Sequence, residues 1–240
     1  MGRSHGSLTH CPAKPGRLHC RSAWSVRYSK DSPSALSIAV PILDTHGLWP
    51  YDRPVAFVFD PDVLQSICRK HLSLPLEEKF EAITDDLDKE YPNRIRRKKT
   101  WVFKMCGGSM GMLSIMYASV TELLVLFGSP TGSEGYTGRY HWSHVYDILL
   151  EGEMRCYARG QFEPAVYKPG DMAFLRRGYD KGYRMAGHTW MLEYSRGLIP
   201  TMLIFGILGS LPQTLDFKSA RQQVWEFSRM ALREILRGKI

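Results

Sequence analysis

The stretch GHTWMLEYSRGLIPTM, residues 187–202, sets Glu193 among Trp190, Met191, Leu192 and Tyr194, the composition of a buried strand. An ionised carboxylate in such a setting is costly unless it is paired, hydrogen-bonded or protonated. Two readings follow. Backbone amides could satisfy Glu193 and make it a stabiliser of the strand, or it could be a carboxylic acid able to hand a proton to a substrate. A second carboxylate, Glu122, lies inside the apolar block GGSMGMLSIMYASVTELLVLFG, residues 107–128, beside Ser119 and Thr121. His141, His144 and Asp147 are the side chains that could supply a metal site. Residues 141 and 144 point to opposite faces of a strand, so no metal is expected, nor any other cofactor.

The elements that would position these groups come next. Residues 143–184 alternate short apolar runs with turn signals at Glu151-Gly152, Arg159-Gly160, Pro169-Gly170-Asp171 and Arg177-Gly178. That spacing predicts an antiparallel barrel or jelly roll. The strings ILLEGEM and YKPGDMAFLRRGY look like a cupin barrel in particular. The histidine that a cupin metal site needs after the Arg177-Gly178 turn is absent, and Lys181 and Tyr183 stand there. A barrel without metal leaves a dry interior suited to an apolar ligand. In the 107–128 block, Glu122 argues against a continuous membrane span. The block reads as a buried hairpin of mixed structure, a short helix over residues 110–118 followed by a strand over residues 122–127.

Upstream, Asp60 and Pro61 are placed to cap and begin a helix. A second helix follows in LEEKFEAITDDLDKEY, where Phe80, Ile83, Leu87 and Tyr91 recur at helical spacing. Downstream, residues 198–211 are strongly apolar but too short for a comfortable span. Residues 214–238 then predict an amphipathic helix with Phe217, Ala220, Val224, Phe227, Ala231 and Ile235 on one face, widened by Trp225, Leu232 and Leu236. Arg229, Arg233 and Arg237 lie opposite. Such a helix lies in a membrane interface, or it packs on the barrel or on a partner subunit.

The chain has 240 residues and a formal net charge of +8. Six Lys/Arg and no Asp or Glu fall in residues 1–30, which leaves the remainder near neutral and argues against a nucleic-acid binder. The basic run Arg94, Arg96, Arg97, Lys98, Lys99 reads as a solvated loop. Five cysteines without a CxxC pair suggest neither a disulfide framework nor a zinc site. Residues 1–57 read as a disordered or targeting leader. Residues 58–240 read as one α+β domain, with helices over 60–92, a barrel over about 100–197 and C-terminal helices over 198–240.

From about Val58 onward the chain resembles the sterol delta-8 to delta-7 isomerases of fungi and the sigma non-opioid receptor of animals. The motifs are WVFKMCGGSMGMLSIMYASVTELLVLFG, GSEGYTGRY, YKPGD, GHTWMLEYSRGLIPTM and TLDF, in the family's order, with FDPDVLQSIC ahead of them. The resemblance implies a cupin-like barrel with flanking helices at the endoplasmic reticulum membrane, often trimeric. It implies a role in ergosterol and other sterol biosynthesis, or sterol and drug binding in the receptor. Glu193 falls on the family's buried glutamate, and Asp147 on its partner aspartate when the chain is aligned on Gly152. The expected ligands are a sterol substrate, cationic amphiphilic amines and membrane lipid. The expected cavity wall is Leu113, Leu123, Val125, Phe127, Val145, Met185, Met202 and Leu203, with Glu122 and Tyr117 as further site candidates. Leu123 stands where the family usually has a tyrosine, and Tyr117 where it has a histidine. One residue more than in the receptor separates Gly138 from Asp147. No counterpart of the family's N-terminal membrane helix is read, so attachment is expected through the C-terminal helices. The competing expectation is a non-catalytic receptor with the same pocket.

Overall fold

The computed structural model describes residues 57–239. The sequence reading of residues 1–57 as a leader lies, Phe57 apart, outside the described residues. The first elements are the expected helices, α1 (Pro61–Lys70) and α2 (Leu76–Glu90). Pro61 opens α1, and the Asp60 carboxylate accepts from the Asp62 amide at 2.8 Å, a side-chain cap on an otherwise orphan donor. Phe80, Ile83 and Leu87 form the buried stripe of α2.

Ten strands follow: β1 (Val102–Cys106), β2 (Ser109–Ala118), β3 (Glu122–Ser129), β4 (Ser133–Tyr136), β5 (Ser143–Glu151), β6 (Met154–Tyr157), β7 (Ala165–Tyr167), β8 (Met172–Leu175), β9 (Gly182–Met185) and β10 (Thr189–Gly197). They make a six-stranded sheet in the order β1-β2-β3-β10-β5-β8 and a four-stranded sheet in the order β4-β9-β6-β7, with every pairing antiparallel. Inward residues of both sheets share one core, which makes the pair a cupin-like jelly roll. β1 and β2 are joined by Gly107 and Gly108, both at positive φ, the two-residue turn whose twist matches a hairpin.

The helix expected over residues 110–118 is instead the body of β2, hydrogen-bonded to β1 and β3. From Leu113 to Ala118 every residue is buried, so the run is apolar on both faces and shows no period-2 signature. The strand expected at 122–127 is present as β3.

The large sheet separates two cores. Its outer face packs Leu124, Leu126, Tyr146, Ile148, Leu192 and Tyr194 against α1 and α2. Its inner face packs Val125, Phe127, Val145, Leu149 and Met191 against Met154, Cys156 and Met185 of the small sheet. Two C-terminal helices, α3 (Ile199–Thr214) and α4 (Phe217–Leu236), contribute Ile199, Met202, Phe227 and Ala231 to that inner core. The apolar face expected on α4 is thus divided. Phe227 and Ala231 are buried, while Phe217, Val224, Trp225, Leu232, Ile235 and Leu236 stay exposed. No helix among the described residues is long and apolar enough to cross a membrane.

The basic run is ion-paired rather than merely solvated. Arg94 meets Glu234 and Arg96 meets Glu226, both on α4. Arg97 holds Asp85 and Asp88, and Lys99 holds Glu81, all on α2.

Candidate active site

β10 lies between β3 and β5, and its register sets Glu193 directly opposite Asp147 of β5. Side chains directly across an antiparallel pair have Cβ atoms roughly 5 Å apart, so the two carboxyl groups are neighbours on the inner face. They border a cavity of two lobes. The first is lined by Phe127, Val145, Asp147, Met154, Lys181, Tyr183, Met191 and Glu193, with Ser109, Tyr136 and Thr137 at its polar side. The second has an apolar wall of Leu113, Ile115, Leu123 and Val125 from the sheet, Ile199, Met202 and Leu203 from α3 and Phe227 from α4, with Lys104, Tyr140, Glu193 and Gln223 as its polar groups. Lys104, Tyr140 and Glu193 border both lobes, so Glu193 stands at their junction.

The local electrostatics are unusual. Burial pushes the Glu193 carboxyl above its ordinary range, Lys104 partly offsets this, and the Asp147 charge adds to it. The hydroxyl of Ser195 donates to Glu193 Oε1 at a long 3.4 Å. Asp147 receives a much closer partner, since Lys181 Nζ lies 3.0 Å from its Oδ2 and each side chain keeps about 10% of its accessible surface. Burial also holds the phenols of Tyr140 and Tyr183 above the usual tyrosine range. The pocket wall thus combines apolar and aromatic side chains with two carboxyls and two ammonium groups.

Of the residues expected to line it, Leu113, Leu123, Val125, Met202 and Leu203 border the second lobe, and Phe127 and Val145 the first. Met185 is buried in the inner core, off the cavity wall. Glu122 and Tyr117 are not brought to the cavity. Glu122 starts β3 and points to the outer face, where it accepts from the amides of Val58 and Phe59 and from the Tyr194 hydroxyl, and pairs with Lys239. Simple alternation from Leu113 and Ile115 would turn Tyr117 inward. A register shift between Ile115 and Tyr117 reverses it, and its hydroxyl donates to Glu234 at 3.0 Å. His144 also faces outward. Burial, then Arg196, Arg177 and Arg176, push its imidazole down to about 4, and its Nδ1 accepts from the Arg177 amide. Among the described residues no three metal-binding side chains converge.

Lys181, Lys104, Tyr140 and Tyr183 line the cavity without having been singled out as site residues. The alternation of Lys181, Tyr183 and Met185 toward one face of β9 was the available signal. Lys181 precedes the strand, yet its backbone is locked in register: its amide donates to Thr137 Oγ1, and its carbonyl accepts from the Thr137 amide.

The site is the interior of a jelly roll in which two carboxyl groups face each other across β5 and β10 and two helices contribute to one lobe. The chain belongs to the family described as "ERG2 and Sigma1 receptor like protein", whose model matches residues 35–239. It is 37% identical over 187 residues to C-8 sterol isomerase ERG2 of Gibberella zeae, covering 77% of each chain. It is 44% identical over 142 residues to C-8 sterol isomerase of Pyricularia oryzae, covering 59% of this chain and 64% of that one. It is 34% identical over 163 residues to Sigma non-opioid intracellular receptor 1 of Gallus gallus, covering 67% and 73%. Among solved structures, KdgF from Halomonas sp. overlaps 44% of this chain and 93% of its own with a TM-score of 0.37 at 12% identity.

Proposed function

We propose that this chain is a C-8 sterol isomerase, moving a ring double bond from delta-8 to delta-7. The observation that carries the reading is Glu193 directly opposite Asp147 at the junction of two apolar lobes. The C-8 sterol isomerases among its relatives supply the reaction class. The shift requires a proton added at C9, a cation at C8, and a proton lost from C7. A neutral carboxyl of the pair donates to C9, a carboxylate steadies the cation, and a carboxylate accepts the C7 proton, so the net change is the migration of one double bond. Two carboxyls so close in a low-dielectric chamber do not readily both ionise, which keeps a proton available near neutral pH. Ser109 and Thr137 suit the sterol's hydroxyl end, and the apolar residues of α3 and α4 suit its tail.

The same carboxylates suit a protonated lipophilic amine that mimics the cation. The exposed apolar residues of α3 and α4, including Ile204, Leu208, Trp225 and Leu232, suit a membrane surface, at the endoplasmic reticulum by analogy with the family. A chain beginning at Val58 should float with liposomes at high salt; its recovery as a folded protein wholly in the soluble fraction would contradict attachment through these helices. Expression in cells that lack their own isomerase tests the function: delta-7 sterols should reappear. Bound delta-8 sterol without conversion would favour the alternative, a sigma-receptor-like binder.

A further inference from the structure

We infer that Lys181 is a positioning residue that keeps Asp147 ionised and thereby leaves Glu193 as the member of the pair that carries the proton. The two carboxyls are not equivalent. Asp147 has an ammonium at 3.0 Å, enclosed with it and shielded from water. Glu193 has the long contact from Ser195 and the more distant charges of Lys104 and Lys181, neither of them in ion-pair contact with it. In an apolar chamber a carboxylate with a close cation stays ionised, and the neighbour without one takes the proton. Burial disfavours the Lys181 charge, yet Asp147 more than offsets it and holds the ammonium above the usual lysine range. Lys181 cannot easily withdraw, because both its backbone groups are tied to Thr137.

The other cation lining the cavity is Lys104, whose charge acts on Glu193. Cys156 on β6, Tyr167 on β7, Tyr183 on β9 and Tyr140 before β5 face the pair, and burial holds each of them toward its neutral form. Lys104 and Cys106 of β1 face the cavity, and Asp171 acts on Tyr167 from beyond it. Asp147 is therefore the fixed anion beside the developing C8 cation, while Glu193 donates to C9 and, once ionised, takes up the proton lost from C7. This division rests on the isomerase reading for its catalytic meaning but not for its proton inventory.

The test has two arms. In infrared difference spectra of the purified protein near neutral pH, one protonated-carboxyl band should be present and should vanish in Glu193→Gln. Lys181→Met should add a second band, lost again when Asp147→Asn is combined with it; Lys181→Arg should not add one. In turnover, Lys181→Met should move the acid limb of the pH profile upward by about one unit or more, the size of shift a lost opposite charge produces, while Lys181→Arg leaves it near its original place. Lys181→Gln carries both measurements if the methionine variant does not fold. A single carboxyl band and unmoved limbs in a folded Lys181→Met or Lys181→Gln would overturn the assignment. Absence of turnover in the unaltered protein would instead count against the isomerase reading and leave the spectroscopic arm standing.

Discussion

Glu122 and Glu193 are two enclosed glutamates on adjacent strands of one sheet, and they are treated in opposite ways. Glu122 is saturated: the Val58 amide lies 2.9 Å away, Phe59 follows at 3.1 Å, the Tyr194 hydroxyl at 2.8 Å and Lys239 Nζ at 2.8 Å. Glu193 receives one long hydrogen bond. Both sit where apolar neighbours make charge expensive, but Glu122 is fully hydrogen-bonded and ion-paired while Glu193 is only partly offset, by Lys104, Lys181 and Ser195. The difference comes from the pleat. Glu122 turns to the outer face, where the segment before α1 and the residue after α4 close over it; Glu193 turns inward to the cavity. A fully satisfied carboxylate is a staple, and an under-satisfied one facing an apolar chamber is an acid held ready for chemistry.

The comparison can be broken in several ways. The largest expected effect is on ligand binding. A protonated lipophilic amine draws the proton off Glu193 and pairs with the resulting carboxylate, so Glu193→Gln should weaken it by about 3 kcal/mol, or more than about 100-fold in Kd. Equal affinities by calorimetry would place the amine elsewhere. Next comes stability. Glu122→Ala leaves two amides and a phenol without their acceptor and removes the ion pair with Lys239, and should cost about 3 kcal/mol, lowering Tm by roughly 10 °C for a chain of this size. A Tm within about 2 °C of the unaltered protein would show that Glu122 is not the staple described.

A smaller effect has a distinctive sign. Burial raises the Glu193 carboxyl above its ordinary 4.5, so the folded state favours its protonated form. That contribution is fully present below the ordinary value and is lost as pH rises through the raised one. Glutamine at this position has no proton to lose. The Tm of Glu193→Gln relative to the unaltered protein should therefore climb as pH increases from about 4 toward 8. A flat or falling difference in calorimetric scans would mean that Glu193 is ionised at little cost in the folded protein.

Much of this arrangement was legible in the sequence. Glu193 announced itself through its apolar neighbours, and the Gly-bearing turns marked the strands of the jelly roll. Asp147 came from the family motif aligned on Gly152, because an aspartate in YDILLEG carries no signal of its own. Lys181 was hidden for a physical reason. A lysine in RRGYDKGYR looks like an ordinary turn cation, and only the bonds between Thr137 and Lys181 fold it inward. β2 was mistaken for a helix because burial on both faces erases periodicity. Tyr117 depended on a register shift, which leaves no mark in residue types. The face of α4 was read correctly as apolar, but its division between core and open surface is set by how the helix sits on the barrel.

The most direct test is the origin of the transferred hydrogen. Purified protein and its Glu193→Gln variant, each incubated with a delta-8 sterol in deuterium oxide, should be compared by mass spectrometry of the product. The account predicts delta-7 sterol carrying one solvent-derived deuterium at C9 from the unaltered protein and essentially no product from the folded variant. Turnover by Glu193→Gln at the unaltered rate, or delta-7 sterol without solvent deuterium at C9, would contradict it.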